Sequence, residues 1–194
     1  MNNNPHLWQN FLRGDKSALS EIFLSVHDDL FRYGLKLTGD ENLVKDAIQD
    51  LFLKLWKNRS NLKPVENFNP YLFKALRHHI IDNLELQGIA SPFENEQENA
   101  VSIIYSVEDF LINEQVTEET RQKVIAALNK LMPRQREVIY LRYFEGLNFE
   151  TIASIMNINI QSVRNTLHRG LVALRDLILI HPFFMLVGKI AWVV

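Results

Sequence analysis

The chain contains no cysteine among its 194 residues, which excludes a disulfide framework, a cysteine-ligated zinc site and a thiol nucleophile. Glycine and proline are scarce, at 7 and 6 residues, which is too few for a loop-rich all-β protein. The N-terminus lacks the basic start and apolar run of a signal peptide, so we expect a cytoplasmic protein. The sequence also lacks a nucleophile–base set, a phosphate loop and a metal-ligand cluster. We therefore expect no enzyme activity, metal, cofactor or small-molecule substrate.

The small net charge of −2 hides an uneven distribution along the chain. Residues 1–87 hold 11 Lys and Arg against 11 Asp and Glu, residues 88–120 hold none against 8, and residues 121–194 hold 10 against 4. An acidic stretch therefore separates a neutral half from a basic half. The basic half favours a polyanionic partner, and nucleic acid is the first candidate.

Apolar residues at helical spacing predict three helices in the first half of the chain. The first begins at the N-cap Asp15 and ends at Thr38-Gly39-Asp40, the second spans about 41–58, and the third spans about 69–87. The inward-facing residues of the first are Leu19, Ile22, Phe23, Val26, Leu30, Tyr33, Gly34 and Leu37; those of the second are Val44, Ala47, Ile48, Leu51 and Leu55.

The stretch 88–116 is polar and acidic and is predicted to be a linker. Within it, Ile103, Ile104, Tyr105, Phe110 and Leu111 predict one short helix that docks on another part of the chain. The tail 181–194 is mostly apolar, but Pro182 interrupts it and it is marginal in length for a membrane span. We expect it to pack on the second domain or to bind a partner, and any membrane contact is expected only through this tail.

Residues 148–176 form the clearest motif of the sequence. Asn148 can cap a short helix, Asn157 suits a tight left-handed turn, and Asn159 can cap a second helix, which together predict a helix-turn-helix. The second helix turns polar side chains outward that can read bases or neutralise phosphates. They are Gln161, Ser162, Arg164, Asn165, His168 and Arg169. The alternative is an ordinary solvated helix face.

The helix around Gln49 carries apolar residues beyond its core stripe. Phe52 and Trp56 lie about 100° further round the helix than Leu51 and Leu55. An apolar strip rimmed by charge is typical of a protein-binding surface. The alternative is that both faces are buried within the domain. The other residues of the candidate strip include Asp46 and Asp50.

The third candidate site lies on the helix predicted over 69–87. Its aromatic and cationic side chains, Tyr71, Lys74, Arg77 and His78, suit unstacked single-stranded bases. The adjacent pair His78 and His79 does not predict a metal site, because neighbouring helix residues point about 100° apart and no third ligand has suitable spacing. The alternative is a set of core aromatics beside a solvated basic face.

These three stretches, in this order, resemble the extracytoplasmic-function (ECF) sigma factors of bacterial RNA polymerase. Residues 46–56 resemble the polymerase-docking helix of that family, and residues 70–84 resemble its promoter-melting helix. The second half matches the family pattern in four stretches. They are Leu131-Met132-Pro133-Arg134-Gln135-Arg136-Glu137-Val138, Leu141-Arg142-Tyr143-Phe144-Glu145-Gly146-Leu147, Ile152-Ala153, and Val163 with Leu167-His168-Arg169.

The resemblance implies an all-α protein of two small helical domains joined by an acidic linker. The domain 1–87 would dock on core RNA polymerase through Asp46, Gln49, Asp50, Phe52 and Trp56. It would also open the −10 promoter element with Tyr71, Lys74, Arg77 and His78 and with the loop 58–68. The domain 117–180 would place Gln161, Ser162, Arg164, Asn165, His168 and Arg169 in the −35 element, while the linker 88–116 would enter a basic channel of the polymerase.

Core polymerase and promoter DNA are thus the expected partners, and an anti-sigma protein is a further candidate. Two other functions remain compatible with the residues. The first is a stand-alone helix-turn-helix regulator, which would bind duplex DNA tightly without polymerase. The second is a helical adaptor that binds only proteins, for which substitution of Arg164 or Arg169 would leave transcription unchanged.

Overall fold

The computed structural model describes residues 5–65, 67–86, 102–110 and 117–178. Within these ranges the chain forms eight α-helices and no strand, which confirms the all-α prediction. Turns of 3₁₀ helix occur at Arg59–Asn61 and Val107–Phe110, and a π-helical turn occurs at Tyr140–Phe144. The α-helices are α1 (Pro5–Leu12), α2 (Lys16–Thr38), α3 (Glu41–Asn58), α4 (Asn69–Leu86), α5 (Glu118–Asn129), α6 (Pro133–Ile139), α7 (Phe149–Met156) and α8 (Ile160–Ile178).

The three helices predicted for the first half are α2, α3 and α4, and local capping chemistry fixes where α2 and α3 begin. The Asp15 carboxylate accepts hydrogen bonds from the backbone N–H groups of Ser17 and Ala18, and Asp40 caps α3 in the same way. Gly39 ends α2 with a φ of 69°, a left-handed conformation that glycine adopts without a steric penalty. The predicted ends of all three helices are therefore confirmed within about one residue.

The core of the first bundle lies between α2, α3 and α4. Most of the predicted inward-facing residues are buried, and Leu19 and Phe23 are the two that are only partly covered. Gly34 allows α2 and α3 to approach closely, because a Cβ added there would lie 2.7 Å from Val44 Cγ1. The bundle thus depends on a small residue where α2 crosses α3.

Helix α1 is an element that the sequence did not predict. Its eight residues are too few to display a helical repeat, yet Trp8 and Phe11 are almost completely buried. The Trp8 ring stacks on Phe68, 5.8 Å between centroids, and its indole N–H donates to the carbonyl of Lys63 at 3.1 Å. Helix α1 therefore anchors the loop that precedes α4.

The second bundle contains α5 to α8, and its helix-turn-helix is the one predicted. The side chain of Asn148 accepts from the backbone N–H of Thr151, Asn157 adopts φ 55°, and Asn159 accepts from the N–H of Ser162 at 2.7 Å. These three asparagines supply the two caps and the left-handed turn between α7 and α8. The π-helical turn after α6 was not predicted.

The segment 102–110 corrects one prediction, because it is not a helix. Residues 102–106 are irregular, and only Val107–Phe110 forms a single 3₁₀ turn. The Asn129 side chain accepts from the backbone N–H of Tyr105 and donates to its carbonyl, both at 2.9 Å. The backbone of Tyr105 is therefore hydrogen-bonded to a side chain and not to the backbone of a helical turn. Docking of the segment is confirmed by the burial of Ile103 and Tyr105, and Leu111 lies outside the described residues.

The two bundles contact each other, chiefly through α4 and α7. Ion pairs also cross the contact and are described below. None of the helices in the described ranges is long and apolar enough to span a membrane, and the predicted tail 181–194 lies outside those ranges. The proposed domain boundaries stay predictions, since residues 87–101 and 111–116 also lie outside them.

Candidate protein-docking and nucleic-acid surfaces

An apolar groove of about 690 Å³ runs between α2 and α3. Phe52 lies at its floor and is only 8% exposed, so α3 alone does not present it to a partner. Phe23 of α2 contacts Phe52 edge to face at 5.0 Å, and Trp56 is half-buried beneath the Arg59 guanidinium, 4.2 Å from the ring centroid. The complete lining is Lys16, Leu19, Ser20, Phe23, His27, Lys45, Ile48, Gln49, Phe52, Leu53 and Trp56.

The three polar residues predicted to dock polymerase are all exposed on α3 but do not share one edge. Gln49 lines the groove. Asp46 and Asp50 lie one turn apart beside it, and a carboxylate oxygen of Asp50 is 3.3 Å from Nε2 of His79 on α4. The structure thus brings Gln49, Phe52 and Trp56 together and places the two carboxylates on the neighbouring face.

Sequence reasoning missed the contribution of α2 to this groove. Leu19, Phe23 and His27 follow one another at intervals of four residues, and each is only partly buried. Leu19 and Phe23 were assigned to the core stripe because periodicity identifies a face but not its width. The position of Leu19 and Phe23 at the edge of that stripe was the sequence signal that could have placed them in the groove.

A second cavity, of about 300 Å³, lies between α3 and α4, with Leu62 of the connecting loop at its edge. Tyr71 and His78 of the predicted −10 set line it together with Asn58. Burial, and then the neighbouring cations Arg77 and Lys74, lower the pKa of His78, so its ring is neutral near pH 7. The remaining lining residues are Leu51, Lys54, Leu55, Leu62, Ala75, His79 and Asp82.

This cavity offers a phenol, a neutral imidazole and a carboxamide, which are groups that stack on a base or hydrogen-bond to its edge. Burial raises the pKa of Tyr71, so its phenol also stays uncharged. Asn58 was included in the predicted −10 loop but not among the site residues. Its place at the end of α3 became informative only when α4 closed the cavity.

The other two residues of the predicted −10 set face the second bundle. Arg77 is buried, with its Nε 2.7 Å from Oε1 of Glu137 in α6. The ammonium of Lys74 donates to the side-chain oxygen of Asn157, in the turn of the helix-turn-helix, at 3.1 Å. In this arrangement Tyr71 and His78 are accessible, whereas Lys74 and Arg77 are engaged.

The outward face of α8 carries the predicted −35 residues. Five of them are exposed, and Ser162 is half-buried at the capped end of the helix. Gln161 donates to Oδ1 of Asn165 at 3.0 Å, and Nε of Arg169 donates to the Asn165 carbonyl at 3.3 Å. The exposed residues are Gln161, Arg164, Asn165, His168 and Arg169.

Tertiary structure adds a cation to this face that sequence reasoning missed. The guanidinium of Arg164 lies 5.4 Å from the centroid of the Phe149 ring, and Arg142 lies 4.9 Å from the same centroid. One aromatic ring at the start of α7 thus holds two arginines side by side. The recognised motif 141–147 contained Arg142, but only folding places it beside α8.

Among the residues that the structure covers, no group of three His, Asp or Glu side chains could hold a metal ion. Both histidines of the adjacent pair in α4 line the cavity, and His79 also lies near Asp50 and Lys54.

Comparison with protein families matches the two bundles separately. Residues 22–88 match the model for sigma-70 region 2, and residues 121–174 match the model for sigma-70 region 4. The chain belongs to the ECF sigma factors. The region 2 match contains most of the α2/α3 groove and the whole lining of the cavity beside α4, and the region 4 match contains the helix-turn-helix.

Curated relatives agree with this assignment. The sigma factor is 27% identical over 174 residues to the ECF RNA polymerase sigma factor SigE of Mycolicibacterium smegmatis, covering 87% of this chain and 65% of that one. It is 23% identical over 172 residues to the ECF RNA polymerase sigma factor SigW of Bacillus subtilis, covering 84% and 90%.

Two solved structures share its fold. CnrH in complex with the cytosolic domain of CnrY superposes with a TM-score of 0.60 at 17% identity, covering 91% of this chain and 97% of that one. The sigma factor RpoE in complex with the anti-sigma factor NepR from Bartonella quintana gives 0.57 at 21% identity, covering 84% and 98%. This sigma factor is therefore similar to both in fold, and its family acts in regulating transcription.

Proposed function

We propose that this cytoplasmic sigma factor binds core RNA polymerase through the α2/α3 groove and directs it to promoters through two DNA-binding surfaces. The −10 surface is the cavity beside α4 together with Lys74 and Arg77, and the −35 surface is the outward face of α8. The observation that supports this most strongly is the presence of a partly open apolar groove and a cationic recognition helix on separate bundles of one chain. A protein-only adaptor has no use for the second surface, and a DNA-only regulator has no use for the first.

The groove is suited to a helical partner. Its apolar floor is formed by Phe23, Ile48 and Phe52, while Lys16, Lys45 and Gln49 line the same groove and can pair with polar groups of the partner. A partner helix that presents apolar side chains at intervals of three and four residues would bury this floor. The acidic linker would then follow a basic channel of the polymerase.

An anti-sigma protein is a further partner that we propose. The solved structure of RpoE holds one, named NepR. A protein of that class would compete with polymerase if it covered the same groove on this chain.

Two exposed leucines provide a matched test of the docking surface. Leu53 lines the groove and is 49% exposed, whereas Leu24 of α2 is 77% exposed and is not among the lining residues. Because both are exposed, Leu53→Glu and Leu24→Glu should leave the fold intact. We expect Leu53→Glu to weaken co-purification with core polymerase at least tenfold, as expected for a buried charge at about 1.4 kcal/mol per factor of ten. Leu24→Glu should not.

Equal retention of both variants on core polymerase would contradict the docking assignment. Run-off transcription on a promoter library with wild-type protein tests the promoter assignment separately. Tight and specific duplex binding without polymerase would instead favour the stand-alone regulator.

A further inference from the structure

Two buried carboxylates at the contact between the bundles serve neither the polymerase groove nor the face of α8. Glu137 lies in α6, and Glu145 follows the π-helical turn; both belong to the second bundle and are almost completely buried. Each is bound by an arginine of the first bundle, Arg77 or Arg32. A buried carboxylate is costly unless it is paired and hydrogen-bonded, so both depend on contact between the bundles.

The Glu137 site is a fully bonded triad. Arg77 donates to both carboxylate oxygens, from Nε to Oε1 at 2.7 Å and from Nη2 to Oε2 at 3.1 Å. The Tyr33 hydroxyl of α2 donates to Oε1 at 2.6 Å. Burial by itself would raise the pKa of Glu137, but the attraction and hydrogen bonds of Arg77, together with the Tyr33 bond, outweigh it and hold the pKa below its ordinary value. The carboxylate is therefore charged at neutral pH.

The Glu145 site repeats this chemistry nearer the surface. Arg32 of α2 donates from Nε to Oε1 of Glu145 at 3.1 Å, and the Tyr140 hydroxyl donates to the same oxygen at 2.9 Å. Tyr140 also stacks on Tyr33, with ring centroids 6.3 Å apart, so the two sites adjoin. We call Tyr33, Arg32, Arg77, Glu137 and Glu145 together the interdomain latch.

Residues 102–110 of the linker close over the same contact. The backbone N–H of Ile104 donates to the carbonyl of Lys36 in α2 at 3.3 Å, and the Lys36 ammonium pairs with Asp109 at 2.7 Å. On its other side, Tyr105 is held by Asn129 and by its own hydroxyl, which donates to the carbonyl of Arg136 at 2.9 Å. Residues 102–110 therefore bridge the bundles and strengthen the latch.

The latch occupies groups that the proposed function needs. The Glu137 carboxylate accepts two parallel hydrogen bonds from Arg77, and these occupy the guanidinium edge that would bind a DNA phosphate. Lys74 is engaged at the same time by Asn157 of the helix-turn-helix. With the latch closed, half of the predicted −10 residues are therefore unavailable to DNA.

We infer that the closed chain is self-inhibited: Glu137 stands in for a DNA phosphate at Arg77, and the bundles must separate before the −10 surface can bind nucleic acid. The effect on DNA binding rests on the proposed function, whereas the existence of the latch does not. Polymerase or DNA opens the chain only as far as it binds the open form more tightly than the closed one. On separation, both arginines and both carboxylates return to water, so neither form leaves a buried charge unpaired.

Distance measurement on the full chain tests the latch directly. Because the sequence contains no cysteine, Ser25→Cys in α2 and Ala126→Cys in α5 introduce the only two thiols for a donor–acceptor dye pair. Both positions are exposed and carry no role in the proposed function. In this background, Glu137→Gln removes the charge and keeps the shape. Glu119→Gln is the control, because Glu119 is exposed and pairs with Lys123 on its own helix.

We expect Glu137→Gln to lower energy transfer and to tighten binding of a short random-sequence single-stranded DNA about tenfold or more, as expected when one of two competing states loses a charge-assisted hydrogen bond. Glu119→Gln should change neither. If circular dichroism shows that Glu137→Gln does not fold, Tyr33→Phe decides instead, since it removes one hydrogen bond to Glu137 and keeps the aromatic ring.

A folded latch variant with unchanged energy transfer would overturn the inference, and so would separation of the bundles without tighter DNA binding. The result of the energy-transfer experiment does not depend on whether the chain binds core polymerase. Failure of wild-type protein to bind core polymerase refutes the proposed function, whereas opening of the latch is measured without polymerase.

Discussion

Removing the Tyr33 hydroxyl tests whether the buried triad stabilises the closed chain. Tyr33→Phe keeps the ring and its contacts with Phe73 and Tyr140, and so leaves no cavity. It deletes one hydrogen bond of 2.6 Å to the charged Oε1 of Glu137. Such bonds contribute about 1.5–3 kcal/mol, and we expect about 1.5 kcal/mol here because Arg77 continues to satisfy the carboxylate.

Urea is the suitable denaturant, since guanidinium chloride would screen the ion pair. With a dependence of about 1–3 kcal/mol per M, the expected loss lowers the unfolding midpoint by about 0.5–1.5 M. Tyr143→Phe is the control, because Tyr143 is a partly exposed tyrosine of the second bundle, and its change should stay within about 0.5 kcal/mol.

A double-mutant cycle identifies the partner. If Tyr33 acts through Glu137, then Tyr33→Phe should have a much smaller effect in the Glu137→Gln background, with a coupling of about 1 kcal/mol. Equal losses in both backgrounds would refute the reasoning, because they would place the effect of the hydroxyl elsewhere.

Two further predictions concern DNA and pH. Arg169→Ala should cost about 1–3 kcal/mol of −35 binding and relax the preference at one base pair, whereas Arg175→Ala, in the last turn of α8, should do neither. Competition gel shifts with the polymerase holoenzyme measure both effects. A uniform loss of binding across all sequences would make Arg169 a phosphate contact only. The pKa of Glu137 lies below its ordinary value of 4.5, so the stability that this carboxylate gives the closed chain is complete above that pH and is lost as the pH falls further. Energy transfer between the dyes on the two bundles should therefore stay constant from pH 7 to 5 and decline below about 4.5. An opening of the chain between pH 7 and 5 would contradict this. The charged and titratable groups around Glu137 are Arg77, Arg134 and Tyr33.

Local chemistry explains why so much of the fold could be predicted. The caps at Asp15, Asn148 and Asn159 and the left-handed turn at Asn157 act within three or four residues, so the sequence displays them directly. Helical periodicity then identified the buried faces of α2 and α3. Helix α1 escaped this reasoning because eight residues contain only two turns.

The candidate site was less predictable because its parts are remote in sequence. Glu137 and Arg77 are 60 residues apart, and nothing local marks either as the partner of the other. Arg77 shows the limit most clearly: its residue type and spacing predict a nucleic-acid contact, while its surroundings in the closed chain are a carboxylate and a phenol. Periodicity also could not show that Phe52 needs Phe23 of another helix to form a groove.

The aromatic rings near the latch have a spectroscopic consequence. Tyr33, Tyr140, Tyr105 and Phe144 contact one another across the two bundles and the linker. The tryptophans of the described residues, Trp8 and Trp56, both lie in the first bundle. In a Trp192→Phe variant, tryptophan emission should therefore follow melting of that bundle, while the near-ultraviolet tyrosine dichroism should follow the union of the two halves, so one unlabelled sample gives an optical readout of each event.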